Sequence, residues 1–334
     1  MEAQLWKPLR SERVVCHLCA HCCIIDEGAR GRCGVRHNQH GVLHTLVGDM
    51  VAALHVDPVE KKPLFHYLPG TTTFSLGTMG CNLGCSFCQN HELSRTPATT
   101  GRVQGRPVSP AQLVDAAVQS GAKSIAFTYS EPTVFYELMT ATADIALAQG
   151  LGTIMVSNGF QSPQALAGLQ HRICAANIDL KAFSEKFYQD QCGARLAPVL
   201  DNLKTMVAFG WWVEITTLLI PGLNDGDDEL RNIARFIHNE LGAHVPWHLS
   251  RYHPAYRLHL PPTPTATLER AWHIGREEGL AFVYLGNVPG HVSETTFCPS
   301  CASPFARRVG FKTTLPHSAQ CAQCGTTIPG IGWE

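Results

Sequence analysis

Met79-Gly80-Cys81-Asn82-Leu83-Gly84-Cys85-Ser86-Phe87-Cys88-Gln89-Asn90 carries three cysteines at the spacing C-x3-C-x2-C in a glycine-punctuated loop, with no fourth cysteine nearby. A 4Fe-4S cluster normally takes four thiolates, so a local set of three leaves one iron free for a ligand that is not protein. Two plainer readings stand beside this one. Zinc prefers paired knuckles and four closed ligands, and buried structural thiols need no fixed spacing.

Composition bounds what surrounds that loop. A chain of 334 residues with 45% hydrophobic content can bury the core of one large α/β domain with smaller additions. Its formal net charge is −1 and only 16% of residues are charged, so nothing suggests a broad phosphate-binding surface and nucleic acid is not indicated. The start, Met1-Glu2-Ala3-Gln4-Leu5-Trp6-Lys7, lacks the apolar run of a signal peptide, and no stretch approaches the length of a membrane span. The expectation is a cytoplasmic protein with no membrane partner. In a reducing compartment clustered cysteines bind metal rather than pair. Of the fourteen, only Cys174 and Cys192 stand apart from the N-terminal, central and C-terminal groups. In the last group Cys298/Cys301 and Cys321/Cys324 form two C-x2-C knuckles nineteen residues apart, the pattern of a zinc ribbon or a rubredoxin-like iron site, with zinc preferred.

From the central loop to about residue 286, short apolar runs alternate with amphipathic stretches, the pattern of repeated βα units. Strands are expected at 73–78, 124–129, 153–157, 176–180, 213–220, 246–251 and 282–285. Ser109-Pro110 reads as a helix N-cap and first turn, and Gly150 and Gly210 as helix ends. Leu230, Ile233, Ala234, Ile237 and Leu241 mark one buried helix face. This periodicity fits a barrel or an open doubly wound sheet equally.

The cluster loop, with the aromatic Phe87 just before its third cysteine, resembles that of the radical S-adenosylmethionine (radical SAM) enzymes. The resemblance implies an α/β fold, a partial TIM-type (β/α)6 radical SAM barrel, with the loop after its first strand at the C-terminal mouth. It implies a 4Fe-4S cluster on Cys81, Cys85 and Cys88, and S-adenosylmethionine on the open iron. A one-electron reductant then drives cleavage to a 5'-deoxyadenosyl radical that abstracts hydrogen from a substrate. Phe87 is expected near the adenine. Glu131 is carried over as the carboxylate that holds the methionine amino group, although Tyr129 and Ser130 stand where the family commonly has two glycines. Ser157 and Asn158 end the third strand with polar groups suited to ribose hydroxyls. Asp179 and Lys181, two apart on a strand, point the same way; a similar Asp-Leu-Lys segment lines the cofactor site of glycyl-radical-enzyme activases. Either His248 or His253 could reach the cofactor, and the resemblance favours His253.

The flanks narrow the likeness. Cys16-His17-Leu18-Cys19-Ala20-His21-Cys22-Cys23, Gly31-Arg32-Cys33-Gly34, Asp57-Pro58-Val59-Glu60-Lys61-Lys62-Pro63-Leu64 and the C-terminal knuckles together resemble the radical SAM component of the AmmeMemoRadiSam system. Ala20 replaces a usual proline and Ser130 a usual asparagine. The resemblance implies Memo-type and AMMECR-type partner proteins. It also implies an N-terminal metal set of Cys16, Cys19, Cys23 and Cys33, with Cys22 extra and His21 a substitute ligand; spacing leaves zinc and an auxiliary iron-sulfur cluster both open. Cys192 matches a cysteine usual in the family and is given no role. The chain divides on this reading into a cysteine-rich segment (1–68), the barrel (69–290) and a C-terminal zinc-ribbon or rubredoxin-like lobe (291–334). A glycyl-radical-enzyme activase is the alternative within the same chemistry. A non-catalytic metal-binding scaffold or electron carrier is the alternative outside it.

Overall fold

A computed structural model describes residues 1–333. Its centre is a sheet of eight strands: β1 (Ala53–Pro58), β2 (Thr72–Gly77), β3 (Ser124–Phe127), β4 (Gly152–Ser157), β5 (Ala175–Asp179), β6 (Trp212–Leu219), β7 (Trp247–Arg251) and β8 (Val283–Gly286). The strands lie side by side in chain order, β2 to β8 all parallel and β1 antiparallel on β2. The sheet is open, with β1 and β8 as its edges. Helices fill the crossovers: α1 (His91–Thr100), α2 (Pro110–Gln119), α3 (Tyr136–Ala148), α4 (Pro163–Leu169), α5 (Ala197–Ala208), α6 (Asp227–Phe236) and α7 (Thr265–Glu277). The arrangement is six strand-helix units followed by a seventh parallel strand, so the partial barrel expected from the sequence is present and does not close.

Local chemistry explains these boundaries. Covered on both faces, parallel strands read as continuous apolar runs, and every residue of β3 is buried. Ser109 caps α2 in a full capping box with Gln112, and Pro110 occupies the first turn. The face predicted over 227–241 is buried, but its last turn widens into a π-type turn, Ile237–Leu241, that keeps Ile237 and Leu241 inward.

Inside the curve of the sheet, the small Ala126 and Ala175 leave room for Leu64 and Tyr67, which pack with them and Ile154, so the segment after β1 plugs the interior. The central sheet therefore takes both an edge strand and a plug from residues before 69. The N-terminal segment adds a three-stranded sheet (Trp6–Pro8, Val14–Cys16, Ile24–Ile25) and a hairpin (Arg36–Gln39 with Val42–Thr45). Arg36, 1% exposed, ties that hairpin to α3 through two 2.7 Å bonds to Glu137. At the other end, Thr296–Phe297, Pro304–Val309 and Lys312–Thr314 form a small antiparallel sheet with its own core of Phe65, Phe282, Tyr284, Phe305 and Trp333. Among the described residues, no helix is long and apolar enough to cross a membrane.

Candidate functional site

The cleft at the C-terminal ends of the strands is where parallel α/β folds place their chemistry. The loop after β2 delivers Cys81, Cys85 and Cys88 there, and the cleft brings them together with Phe87, Glu131, Ser157, Asn158, Asp179 and Lys181. Gly80 makes the loop possible: its φ is +106° and an added Cβ would lie 2.8 Å from Val35. The loop is then pinned from outside. Gly84 and Ser86 donate their N–H groups to the carbonyls of Cys192 and Gln191 at 2.8 and 2.9 Å, and Arg95 donates to the Leu83 carbonyl at 2.7 Å. The Leu83 N–H points at the Cys81 sulfur, 3.4 Å away.

The residues around the thiols are held in turn. Glu131 is 2% exposed. Its Oε1 accepts bonds from the Thr133 N–H (3.0 Å), the Thr133 hydroxyl (2.6 Å) and the Ser157 hydroxyl (2.7 Å), while Oε2 accepts the Asn158 N–H at 2.9 Å. Burial pushes its carboxyl above the ordinary value, against the pull of these donors. The carboxyl thus staples the ends of β3 and β4, and only Oε2 keeps spare acceptor capacity. Asn158 reaches on to the Asn82 side chain at 2.8 Å and towards the Cys81 sulfur at 3.8 Å.

Lys181 lies 2.9 Å from Asp179 and above the Phe87 ring, its ammonium 5.8 Å from the centroid. Burial works against its charge, but Asp179 and the sulfurs of Cys85 and Cys192 outweigh burial and hold it protonated. Cys85 is drawn down to about 7, first by a hydrogen bond from Cys192, while burial pushes Cys192 well up. Cys192, unassigned from sequence, is therefore a thiol placed beside the innermost cysteine of the loop. Removing the cation from beside this sulfur should make any cluster on it harder to reduce. Lys181→Met is expected to lower the midpoint potential by about 1 kcal/mol, on the order of 50 mV for a one-electron couple, read by a redox titration followed by electron paramagnetic resonance.

Sequence reasoning missed Tyr129 and Ser130 as parts of the wall. Tyr129 keeps the left-handed backbone of a glycine, φ +67°, and its hydroxyl donates to Asp57 at 2.5 Å beneath Lys62, whose ammonium is 4.6 Å from the ring centroid. The Ser130 hydroxyl oxygen is buried in the cleft without a partner. Neither histidine of the sixth predicted strand is there. His253 is exposed, beyond the end of β7, and Ser250 is the residue of that strand lining the cleft. His248 faces the opposite end of the interior, its Nε2 2.6 Å from Glu214.

The terminal cysteine sets separate in geometry. The ligand atoms of Cys298, Cys301, Cys321 and Cys324 all lie within 4.8 Å of one another, with Cys298–Cys324 and Cys301–Cys321 sulfur distances of 3.6 Å. Four thiolates at about 2.3 Å from one tetrahedral ion are about 3.8 Å apart, so this set can hold a metal ion. Its binding energy, on the order of 10 kcal/mol in small metal lobes, exceeds what so small a core supplies. Stripping the metal with a strong chelator is expected to open the lobe to protease between Cys298 and Cys324 while the central sheet stays resistant. Cys16, Cys19, Cys23 and Cys33 border a separate small cavity with Asn82 and Arg36. Cys22 is exposed outside it, and His21 is taken up by the Asn82 carbonyl at 2.8 Å.

Residues 76–237 match the Radical SAM superfamily. Over 332 residues the chain is 41% identical to an uncharacterized protein of Methanocaldococcus jannaschii, the match covering 98% of each. The structure of Streptococcus suis SuiB bound to S-adenosylmethionine is similar in fold, with TM-score 0.51 at 15% identity, over 65% of this chain and 52% of SuiB. A domain of a pyruvate-formate lyase-activating enzyme from Bacteroides vulgatus, 18% identical, gives a TM-score of 0.44 over 50% of this chain and 100% of that domain.

Proposed function

Because residues 76–237 form a Radical SAM superfamily domain, we propose that this chain cleaves S-adenosylmethionine reductively and turns the resulting carbon radical on a C–H bond of a substrate admitted to the cleft. It is an S-adenosylmethionine-dependent iron-sulfur enzyme. The observation that carries the reading is the single cleft in which three cysteines of one loop meet Glu131, Asn158 and Lys181.

The residues present fit the two groups this chemistry needs. The loop presents three thiols to one cleft with no fourth cysteine of its own, a set that suits a cluster with one open iron. The unpartnered Ser130 hydroxyl and the spare capacity of Glu131 Oε2 are open to a polar ligand beside it. Cys81, Cys85 and Cys88 would hold a 4Fe-4S cluster by three irons, with S-adenosylmethionine on the fourth. When bound, the pair supplies one-electron cleavage of the sulfonium and a carbon radical able to take a hydrogen atom.

This chain's own residues do the rest. Glu131 fixes the spacing of the β3 and β4 ends, so Ser157 and Asn158 stand at set positions around the ligand. Lys181 offsets negative charge at Cys85, and Asp179 holds Lys181 in place. Phe87 supplies an apolar wall under that pair.

Memo-type and AMMECR-type proteins are the partners proposed, supported by the likeness of the terminal cysteine segments. Zinc is the metal proposed for the C-terminal set, supported by its tight sulfur tetrahedron. The test is anaerobic. Protein reconstituted with iron and sulfide, reduced with dithionite and given S-adenosylmethionine is expected to release 5'-deoxyadenosine. A well-formed cluster that yields none, with or without the two partner proteins, would overturn the proposal.

A further inference from the structure

We propose that Cys16, Cys19, Cys23 and Cys33 bind a second cluster, a fully cysteine-ligated 4Fe-4S cubane, rather than a zinc ion. The first argument is distance. The C-terminal thiols sit at the separation one tetrahedral ion requires, 3.6 Å between paired sulfurs. Among the described residues, only the C-terminal four form a group able to hold one ion, whereas the N-terminal four are spread around the wall of one cavity. A cubane gives each thiolate its own iron and so holds its ligands farther apart than a single ion does.

The second argument is what else lines the cavity. Arg36 and Asn82 are 1% and 3% exposed, and in each a buried nitrogen, Arg36 Nε and Asn82 Nδ2, has no hydrogen-bond partner. The other two guanidinium nitrogens of Arg36 are taken by Glu137 at 2.7 Å each. An unsatisfied buried donor is costly, so two at one cavity point to an acceptor that belongs there. A cluster provides it, because its inorganic sulfides carry negative charge on faces the thiolates do not cover. The exclusion of Cys22 from the cavity leaves four ligands, enough to close the cluster.

The assignment is independent of whether S-adenosylmethionine is cleaved. In the full chain, Cys81→Ala, Cys85→Ala and Cys88→Ala together delete the cleft cluster. After anaerobic reconstitution this variant is expected to retain about four irons and four acid-labile sulfides, with retained C-terminal metal reporting that it is folded. Reduced with dithionite, it should show a paramagnetic cluster signal that S-adenosylmethionine does not change. Adding Cys19→Ala and Cys33→Ala should remove iron, sulfide and signal. Zinc without labile sulfide at this set, no metal there at all, or a signal that shifts with S-adenosylmethionine would each overturn the proposal. Should the triple variant not fold, the wild-type iron content decides: about eight irons falling to about four in Cys19→Ala/Cys33→Ala supports two clusters, and about four in both refutes them.

Discussion

Cys85→Ala is expected to abolish 5'-deoxyadenosine formation. Of the three loop cysteines it is the most deeply buried, at 8% exposure, and its sulfur is the one drawn down to about 7, by Cys192 first and Lys181 after. That environment keeps a thiolate available at neutral pH for a metal. Alanine removes one of three ligands and leaves Cys192, pushed well up by burial, as a poor substitute. Even outer-shell changes at metal sites cost 10–100-fold, so the loss should exceed about 100-fold. Product is quantified by mass spectrometry against the wild type, with iron counted in the same samples. Iron should fall by the content of the cleft cluster alone, because the N-terminal and C-terminal sets do not touch Cys85. Cleavage retained in this variant would remove the loop from the chemistry. Cys22→Ala, exposed and outside every set, is the control expected to change nothing.

The parallel strands were readable because burial on both faces selects unbroken β-branched and apolar runs, and all seven lie within two residues of their expected bounds. The edge strand β1 was not. Ala53–Pro58 carries a histidine, an aspartate and a proline, and much of it stays accessible on an edge where pairing needs no apolar face. Asp179 and Lys181 were legible as a charged pair two residues apart; only Asp179 lies in β5, and Lys181, just past its end, still meets it at 2.9 Å in the cleft. Strand alternation places His248 and Ser250 on one face of β7, His248 deep and Ser250 at the mouth, while His253 lies past the strand where alternation carries no information. Tyr129 shows a different limit. Its side chain gave no hint of a left-handed backbone, because the residue type that advertises that conformation had been replaced. The four-cysteine N-terminal cavity depended on partners such as Arg36 and Asn82 that spacing cannot supply.

Glu214→Ala is expected to be the most destabilising single substitution outside the metal sites, at about 3–5 kcal/mol. Glu214 is fully buried near the start of β6, at the end of the interior away from the cleft mouth. Its Oε1 accepts the N–H groups of Phe65 (2.9 Å), His66 (2.8 Å) and the Trp212 indole (3.0 Å), and its Oε2 accepts from His248 at 2.6 Å. This carboxylate is what fastens the plug segment to the sheet, 149 positions away in sequence. Burial opposes its ionisation, but His248, His66 and the Phe65 N–H outweigh burial and hold its carboxyl below the ordinary value. Alanine would strand these donors in a dry interior, each costing about 1–3 kcal/mol. The sign of the pH dependence follows. A carboxyl held low in the folded state contributes stability above its unfolded value, about 4.3, and loses it as pH falls through the folded value. His66, lowered by burial to about 4, behaves likewise, since the unfolded chain takes up a proton from about pH 6.5 downward and the folded chain does not until about 4. Wild-type stability should therefore decline as pH drops from about 6.5 towards 4, and the gap between wild type and Glu214→Gln should narrow only below that window. Urea midpoints across this pH range test both statements. An unchanged midpoint in Glu214→Ala would mean that water reaches the plug and satisfies its donors, and that the interior is not sealed at this end.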